Sequence, residues 1–218
     1  MSVITIERKV LQKNDEIATQ NREIFTRKGL FVINVVSSPG SGKTSILEKT
    51  LEHLKGKIKI AVIEGDVQTD FDAKRVERYE VPVVQIVTNG GCHLEAKLVK
   101  DAFESMNLDD VRILVIENVG NLVCPAGYDL GENLKVVIVS TTEGDDKPLK
   151  YPKMFRNASV LIINKTDLLP YVDCNIEELK KNALQINPSL KMFETSCTSG
   201  EGIPEWCQWL GRNVSKRN

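Results

Sequence analysis

The sequence predicts a doubly wound, mostly parallel α/β sheet with helices on both faces, preceded by one N-terminal helix. Three observations carry this. Short β-branched apolar runs recur along the chain, stretches of helical periodicity separate them, and a glycine-rich turn joins the first run to the helix after it. Residues 3–28 come first, with Val3, Ile6, Val10, Ile17 and Ile24 at three-to-four spacing, an amphipathic helix that stops at Gly29. Strands are then expected at 31–36, 59–63, 83–87, 112–116, 135–139, 160–163 and 190–193. Most of these are apolar on both faces, as strands covered by helices on each side must be. Helices are expected near 44–55, 70–79, 93–106, 176–186 and 204–213, so the two kinds of element alternate.

A chain of 218 residues fits one core, and the reading is a single domain over 1–218, with the helix at 3–28 and the sheet domain over 30–210. Lys plus Arg (29) almost balance Asp plus Glu (30), which leaves no global field for nucleic acid or an anionic membrane. Small molecules and proteins are the expected partners. Five widely spaced cysteines and no charged-then-apolar leader point to a reducing cytoplasm. No apolar run approaches the ~20 residues of a membrane span.

The run 31–36 leads into Ser37-Ser38-Pro39-Gly40-Ser41-Gly42-Lys43-Thr44, with a helix expected from Ser45. This is a Walker A context, with Ser37 in place of the usual first glycine. Gly40 and Gly42 let successive amides, with those of Ser41 and Ser45, turn toward phosphates. Lys43 reaches the β and γ oxygens, and Thr44 ligates Mg²⁺.

At the end of a later strand stands Asn164-Lys165-Thr166-Asp167, the N-K-x-D order that reads guanine in P-loop GTPases. An Asp167 carboxylate accepts from guanine N1–H and N2–H₂, donors adenine lacks on that edge; Asn164 addresses N7 and O6, and the Lys165 stem lies along the base. Ser196-Cys197-Thr198-Ser199-Gly200-Glu201-Gly202 resembles the second guanine loop, whose backbone amides reach O6.

Glu117-Asn118-Val119-Gly120 follows another strand, an E-x-x-G where D-x-x-G is usual. Glu117 can hold a Mg²⁺-bound water, and the Gly120 amide can touch the γ-phosphate. The segment 64–72 carries Asp66, Asp70 and Asp72, a supply of carboxylates suited to Mg²⁺. Asn121 stands where a water-orienting glutamine is expected, so turnover should be slow. The phosphate loop holds no arginine; Lys147 and Lys150, braced by Pro148 and Pro152, lie where one of them, Lys150 above all, could reach the γ-phosphate of a partner subunit.

Cys92 and His93 are adjacent, and Cys124 lies four residues beyond Gly120. Thiolate and imidazole suit Ni²⁺ or Zn²⁺. Three ligands leave a four-coordinate shell to be completed by water or by a second subunit. Cys174, Cys207 and His53 carry no such signal.

Taken together, these residues resemble the hydrogenase nickel-incorporation GTPase family, HypB, over about 30–210. The carriers are Ser38 to Thr44, Gly65-Asp66-Val67, Cys92-His93-Leu94, Glu117 to Ala126, Thr142 to Lys147 and Asn164 to Asp167. The resemblance implies a P-loop metallochaperone that uses GTP, Mg²⁺ and Ni²⁺ or Zn²⁺. It implies a metal site of Cys92, His93 and Cys124 at a homodimer interface, and Asp72 as a switch aspartate near Mg²⁺. Its implied partners are a HypA-type nickel accessory protein and a hydrogenase large-subunit precursor. Many members carry a Cys-rich or His-rich N-terminal extension; helix 3–28 has neither residue, which leaves the GTPase-domain site. The rival expectations are a GTP-gated chaperone of a cofactor-dependent metalloenzyme that binds no metal itself, and a plain small GTPase.

Overall fold

The computed structural model describes residues 6–68 and 71–215, with side chains from Val10 onward. Val3 and Asp70 therefore lie outside the described residues. The strands are β1 (Phe31–Ser37), β2 (Ile60–Asp66), β3 (Val83–Val87), β4 (Ile113–Glu117), β5 (Leu134–Ser140), β6 (Val160–Asn164) and β7 (Lys191–Thr195). The helices are α1 (Ile6–Arg27), α2 (Lys43–Leu54), α3 (Phe71–Glu77), α4 (Ala96–Glu104), α5 (Lys147–Lys150), α6 (Pro152–Asn157), α7 (Ile176–Ile186) and α8 (Ile203–Ser215).

All seven strands pair in parallel, in the order β3-β2-β4-β1-β5-β6-β7. Alternation along each strand sends side chains to two cores. Ile33, Val62, Val115, Ile138 and Ile162 meet α2 and α8 on one face. On the other, Val32, Ile63 and Leu114 meet Phe25 of α1 and Val99 and Phe103 of α4, while Val137, Val139 and Leu161 meet α6 and α7. Trp206 is buried with its indole Nε1 donating to Thr50 Oγ1 at 3.0 Å, so the largest side chain of the α2/α8 layer brings no unpaired donor inside. Among the described residues no helix is long and apolar enough to cross a membrane.

Two departures from the sequence expectation matter for function. The helix read over 93–106 starts only at Ala96, because Glu95 is extended and the Leu94 amide donates to Asn118 Oδ1 instead of entering a helical turn. Cys92 and His93 thus sit on a loop. The short helices α5 and α6 were not anticipated; four and six residues are too few to show a period, and each is started by a proline in its first turn.

Candidate nucleotide and metal site

The functional loops leave the carboxyl ends of the strands, and strand order reverses around β1, which is where open α/β sheets form their ligand crevice. A cleft of about 500 Å³ opens there, lined by Gly40, Gly42, Lys43, Thr44, Ser45, Asp66, Asp72, Gly120 and Lys165 among others. Gly42 takes φ +97° as the N-cap of α2, and a Cβ on it would lie 2.4 Å from Asn164 Nδ2. The phosphate-loop backbone therefore packs directly against the side chains of the N-K-x-D turn. Asn164 Nδ2 donates to Ser41 O (2.9 Å) and Lys165 Nζ to Gly40 O (2.8 Å). Lys165 has a left-handed φ of +63°, a conformation costly to a side-chain-bearing residue and found where surroundings enforce it. Here its carbonyl accepts from Thr141 Oγ1 at 2.7 Å.

Asp167 Oδ1 accepts from Ser196 Oγ (2.6 Å), and Ser196 Oγ accepts from the Thr198 and Ser199 amides, so the carboxylate of one guanine segment is oriented by the other. Cys197 lies beside Asn164, its Sγ 3.7 Å from Oδ1. Lys43 Nζ donates to Ser37 Oγ (3.2 Å), the serine in the first glycine's place.

Thr44 Oγ1 donates to Glu117 Oε1 at 2.8 Å, joining two expected Mg²⁺ residues. The other Glu117 oxygen is buried without a hydrogen-bond partner. A buried acceptor left open beside the cleft suits a cation with its water shell. Asp72 faces Arg75 (3.3 Å), and Asp66 Oδ1 accepts from the Gln68 amide (2.8 Å).

Three contributors escaped the sequence reading. Glu64 is paired in register with Glu117 and fully inside the sheet. Arg75 lines the cleft, bonded to Glu48 and Ser45. Glu143 accepts from Ser41 Oγ (2.6 Å) and the Ser140 amide (2.9 Å), and lies 3.1 Å from Lys147 Nζ, which reaches Ser38 Oγ at 3.4 Å. Lys147 therefore belongs to its own phosphate loop. Lys150 is exposed and paired with Asp146 at 2.6 Å. Glu143 also completes a Ser-x-x-Glu capping pattern at 140–143, a local signal beside its place in the 142–147 run.

Beside this cleft the ligand atoms of Cys92, His93 and Cys124 lie within 4.8 Å of one another, the single such cluster of His, Cys or acidic groups among the described residues. His93 Nδ1 is 3.5 Å from Cys92 Sγ, its ring lies on Tyr128 with centroids 3.9 Å apart, and its Nε2 is buried with no hydrogen-bond partner. Burial lowers the His93 pKa, which keeps the imidazole neutral and its lone pair available. A hydrogen bond with the Cys124 thiol, and burial after it, raises the Cys92 pKa. Lys135, buried against Glu132, donates to the carbonyls of Pro125 and Tyr128 and so fastens the turn that carries Cys124. Asn121 does not enter the cleft: its Nδ2 donates to Cys92 O (3.2 Å) and its Oδ1 accepts from the Val123 amide.

Fold and site together define a P-loop nucleotide-binding domain with a cysteine–histidine cluster shared between the loop before α4 and the segment after Gly120. Comparison with known proteins agrees. Residues 31–194 match the family described as CobW/HypB/UreG, nucleotide-binding domain. The hydrogenase maturation factor HypB of Azotobacter chroococcum is 52% identical over 215 residues, 99% of this chain and 70% of the relative. The crystal structure of HypB from Helicobacter pylori in complex with nickel superposes with a TM-score of 0.89 at 37% identity, covering 94% of this chain and 96% of that one; HypB from Archaeoglobus fulgidus gives 0.87 at 38%, covering 93% and 99%. The chain belongs to the CobW/HypB/UreG family and groups within it with the HypB proteins.

Proposed function

We propose that this chain is a GTP-hydrolysing nickel metallochaperone of hydrogenase maturation, in which nucleotide-dependent dimerisation forms or releases the Cys92, His93, Cys124 site. One observation carries the reading. The Gly120 backbone abuts the phosphate loop, where an added Cβ would be 3.2 Å from Pro39, and the next residue, Asn121, holds the Cys92 carbonyl. A γ-phosphate that displaces Gly120 thus pulls on both metal-bearing loops through one residue.

Lys43 and the amides of Gly40 to Ser45 hold the phosphates, and Asn164, Lys165, Asp167 and the Ser196-Cys197 backbone hold guanine. Thr44 and Glu117, with Asp66 and Asp72, hold Mg²⁺, which would neutralise phosphate charge as it develops. With Asn121 committed elsewhere, no side chain after Gly120 orients the attacking water, which favours slow turnover. Lys150 is left to act across a homodimer. Nickel is the cargo, with Zn²⁺ as its competitor for the same ligands. A HypA-type accessory protein and a hydrogenase large-subunit precursor would stand on either side of the transfer, in the cytoplasm.

The test is equilibrium dialysis against Ni²⁺ and Zn²⁺ with GTP, GDP and no nucleotide, for the wild type and the Cys92→Ala/Cys124→Ala pair. Metal binding that depends on nucleotide and vanishes in the pair is expected. Wild-type stoichiometry in the pair, or no effect of nucleotide, would refute the coupling.

A further inference from the structure

The long helix α1 takes no part in the nucleotide cleft, yet it places two asparagines in the core. Asn14 and Asn21 are 5% and 0% exposed and seven residues apart, so they lie on one face of the helix, two turns from each other. Each spans the same gap. Asn14 Oδ1 accepts from the Ala96 amide (2.8 Å), and its Nδ2 donates to Asp129 O (2.8 Å). Asn21 Nδ2 donates to Ala96 O (2.9 Å) and to Leu130 O (3.2 Å). Ala96 is the third residue after His93; Asp129 and Leu130 are the fifth and sixth after Cys124. Both side chains therefore tie the exit of one metal-bearing loop to the exit of the other.

Backbone contact tightens the arrangement. Gly131 has φ +93°, and a Cβ there would meet Ala18 O and Arg22 N of α1 within 3 Å. Arg22 reaches both oxygens of Asp129 at 2.7 Å. Two buried amides are a poor choice for mere docking, since an apolar side chain would bury more surface without desolvating polar atoms. Asn21 Oδ1 is in fact buried with no partner, so its cost is tolerated for the sake of its two donations.

We infer that α1 is a brace, and that Asn14 and Asn21 are positioning residues that set the separation of the Cys92–His93 loop from Cys124. The inference rests on the nickel reading only for its purpose; the spacing of the thiols exists without metal. Linkage then requires that metal bound at the cluster tighten α1 onto the loops.

The experiment uses the full chain as wild type, Asn14→Asp, Asn14→Leu and Arg22→Gln. Asn14→Asp keeps the bond from the Ala96 amide but sets a carboxylate against Asp129 O, uncoupling the loops while α1 stays docked. Arg22 is half-exposed, so Arg22→Gln folds even if the Asn14 variants do not. In a metal-free arm, oxidised glutathione converts two thiols to a disulfide and is itself reduced, and peptide mapping follows the Cys92–Cys124 product. Its rate is expected to fall at least ~10-fold in Asn14→Asp and less in Arg22→Gln, with GTP affinity within about twofold of wild type. In a metal arm, Ni²⁺ is titrated on the thiolate-to-nickel absorption band. A weaker affinity and a shifted band are expected in the variants, with Ni²⁺ slowing amide exchange along α1 in wild type alone. Unchanged disulfide rates in folded variants overturn the brace. A wild type that binds no nickel, while disulfide rates still fall, refutes the nickel reading and supports the brace.

Discussion

Glu64 and Glu117 face each other in register on the adjacent parallel strands β2 and β4, 2% and 3% exposed and close enough to share a hydrogen bond when one of them is protonated. Two carboxyls out of water cannot both ionise cheaply. Burial raises both above the ordinary carboxylate range, and the Glu117 charge raises Glu64 further, whereas Lys43 and Thr44 favour the ionised form of Glu117. Glu64 therefore holds its proton more tightly than Glu117, the carboxyl bonded to Thr44 beside the phosphate loop.

The first prediction concerns pH. A carboxyl whose folded pKa is raised binds more protons folded than unfolded, so its stabilisation is present below the unfolded value and is lost as pH rises toward the folded one. Without Mg²⁺ and nucleotide, Glu64→Gln should therefore flatten the fall in stability between pH 5 and 9. The wild-type slope attributable to one proton is at most ~1.4 kcal/mol per pH unit. Thermal melts across that range decide it: parallel curves for the two proteins would show that Glu64 is not the proton carrier.

A second prediction follows from Asp167, whose carboxylate is aimed by the Ser196 hydroxyl at 2.6 Å. Asp167→Asn should weaken GTP by about 2–4 kcal/mol, because guanine's N1–H and N2–H₂ donors lose their charged acceptor. It should favour xanthosine triphosphate, whose C2 carbonyl accepts from an amide. Competition binding with both nucleotides measures this; equal GTP affinity would remove Asp167 from the base pocket.

The strands and the phosphate loop were legible because their signals are local. A run such as 31–36 is apolar on both faces, and Gly40 and Gly42 have few other reasons to precede Lys43-Thr44. Cys92, His93 and Cys124 were also visible as residue types, although only the fold places the loops before Ala96 and after Gly120 side by side. Glu64, Glu143 and the asparagines of α1 were not legible. Their partners lie across the sheet or up to 115 positions away in sequence, and a buried Asn in an amphipathic pattern reads only as a polar interruption. Asn121 read as a shortened catalytic glutamine because sequence gives the position of a side chain, not its direction.

Glu143 gives a prediction of opposite sign to that for Glu64. Burial works against its charge, but bonds from Ser41 and the Ser140 amide, with Lys147 nearby, outweigh that and hold its pKa below the usual range. A depressed carboxyl contributes stability above the unfolded pKa that is lost as pH falls through the folded one. Glu143→Gln should therefore lower stability at neutral pH and narrow its difference from wild type below about pH 4.5. The same variant should loosen the phosphate loop at Ser41 and weaken GTP by roughly tenfold. Denaturant melts at pH 7 and pH 4, with nucleotide titration, check both effects; a difference that widens in acid would reverse the assignment.

The last prediction concerns the cation missing from the phosphate loop. Lys147 is held within its own subunit by Glu143 and sits next to Ser38, while Lys150, one helical turn on, is exposed and paired with Asp146. An exposed ion pair of that kind is weak and readily exchanged for a stronger anion. If GTP closes a two-fold dimer, the γ-phosphate of the partner is such an anion, and Lys150 is free to leave Asp146 for it. Lys150→Ala should then bind GTP as a monomer with near wild-type affinity but lose both GTP-dependent dimerisation and at least ~10-fold in hydrolysis rate, since a charge supplied in trans acts on the transition state. Lys147→Ala should instead weaken GTP binding in the monomer. Sedimentation with GTP, GDP and no nucleotide, paired with phosphate-release rates, separates the two lysines. A Lys150→Ala protein that dimerises and hydrolyses like wild type would leave Lys147 as the lysine to test at the γ-phosphate.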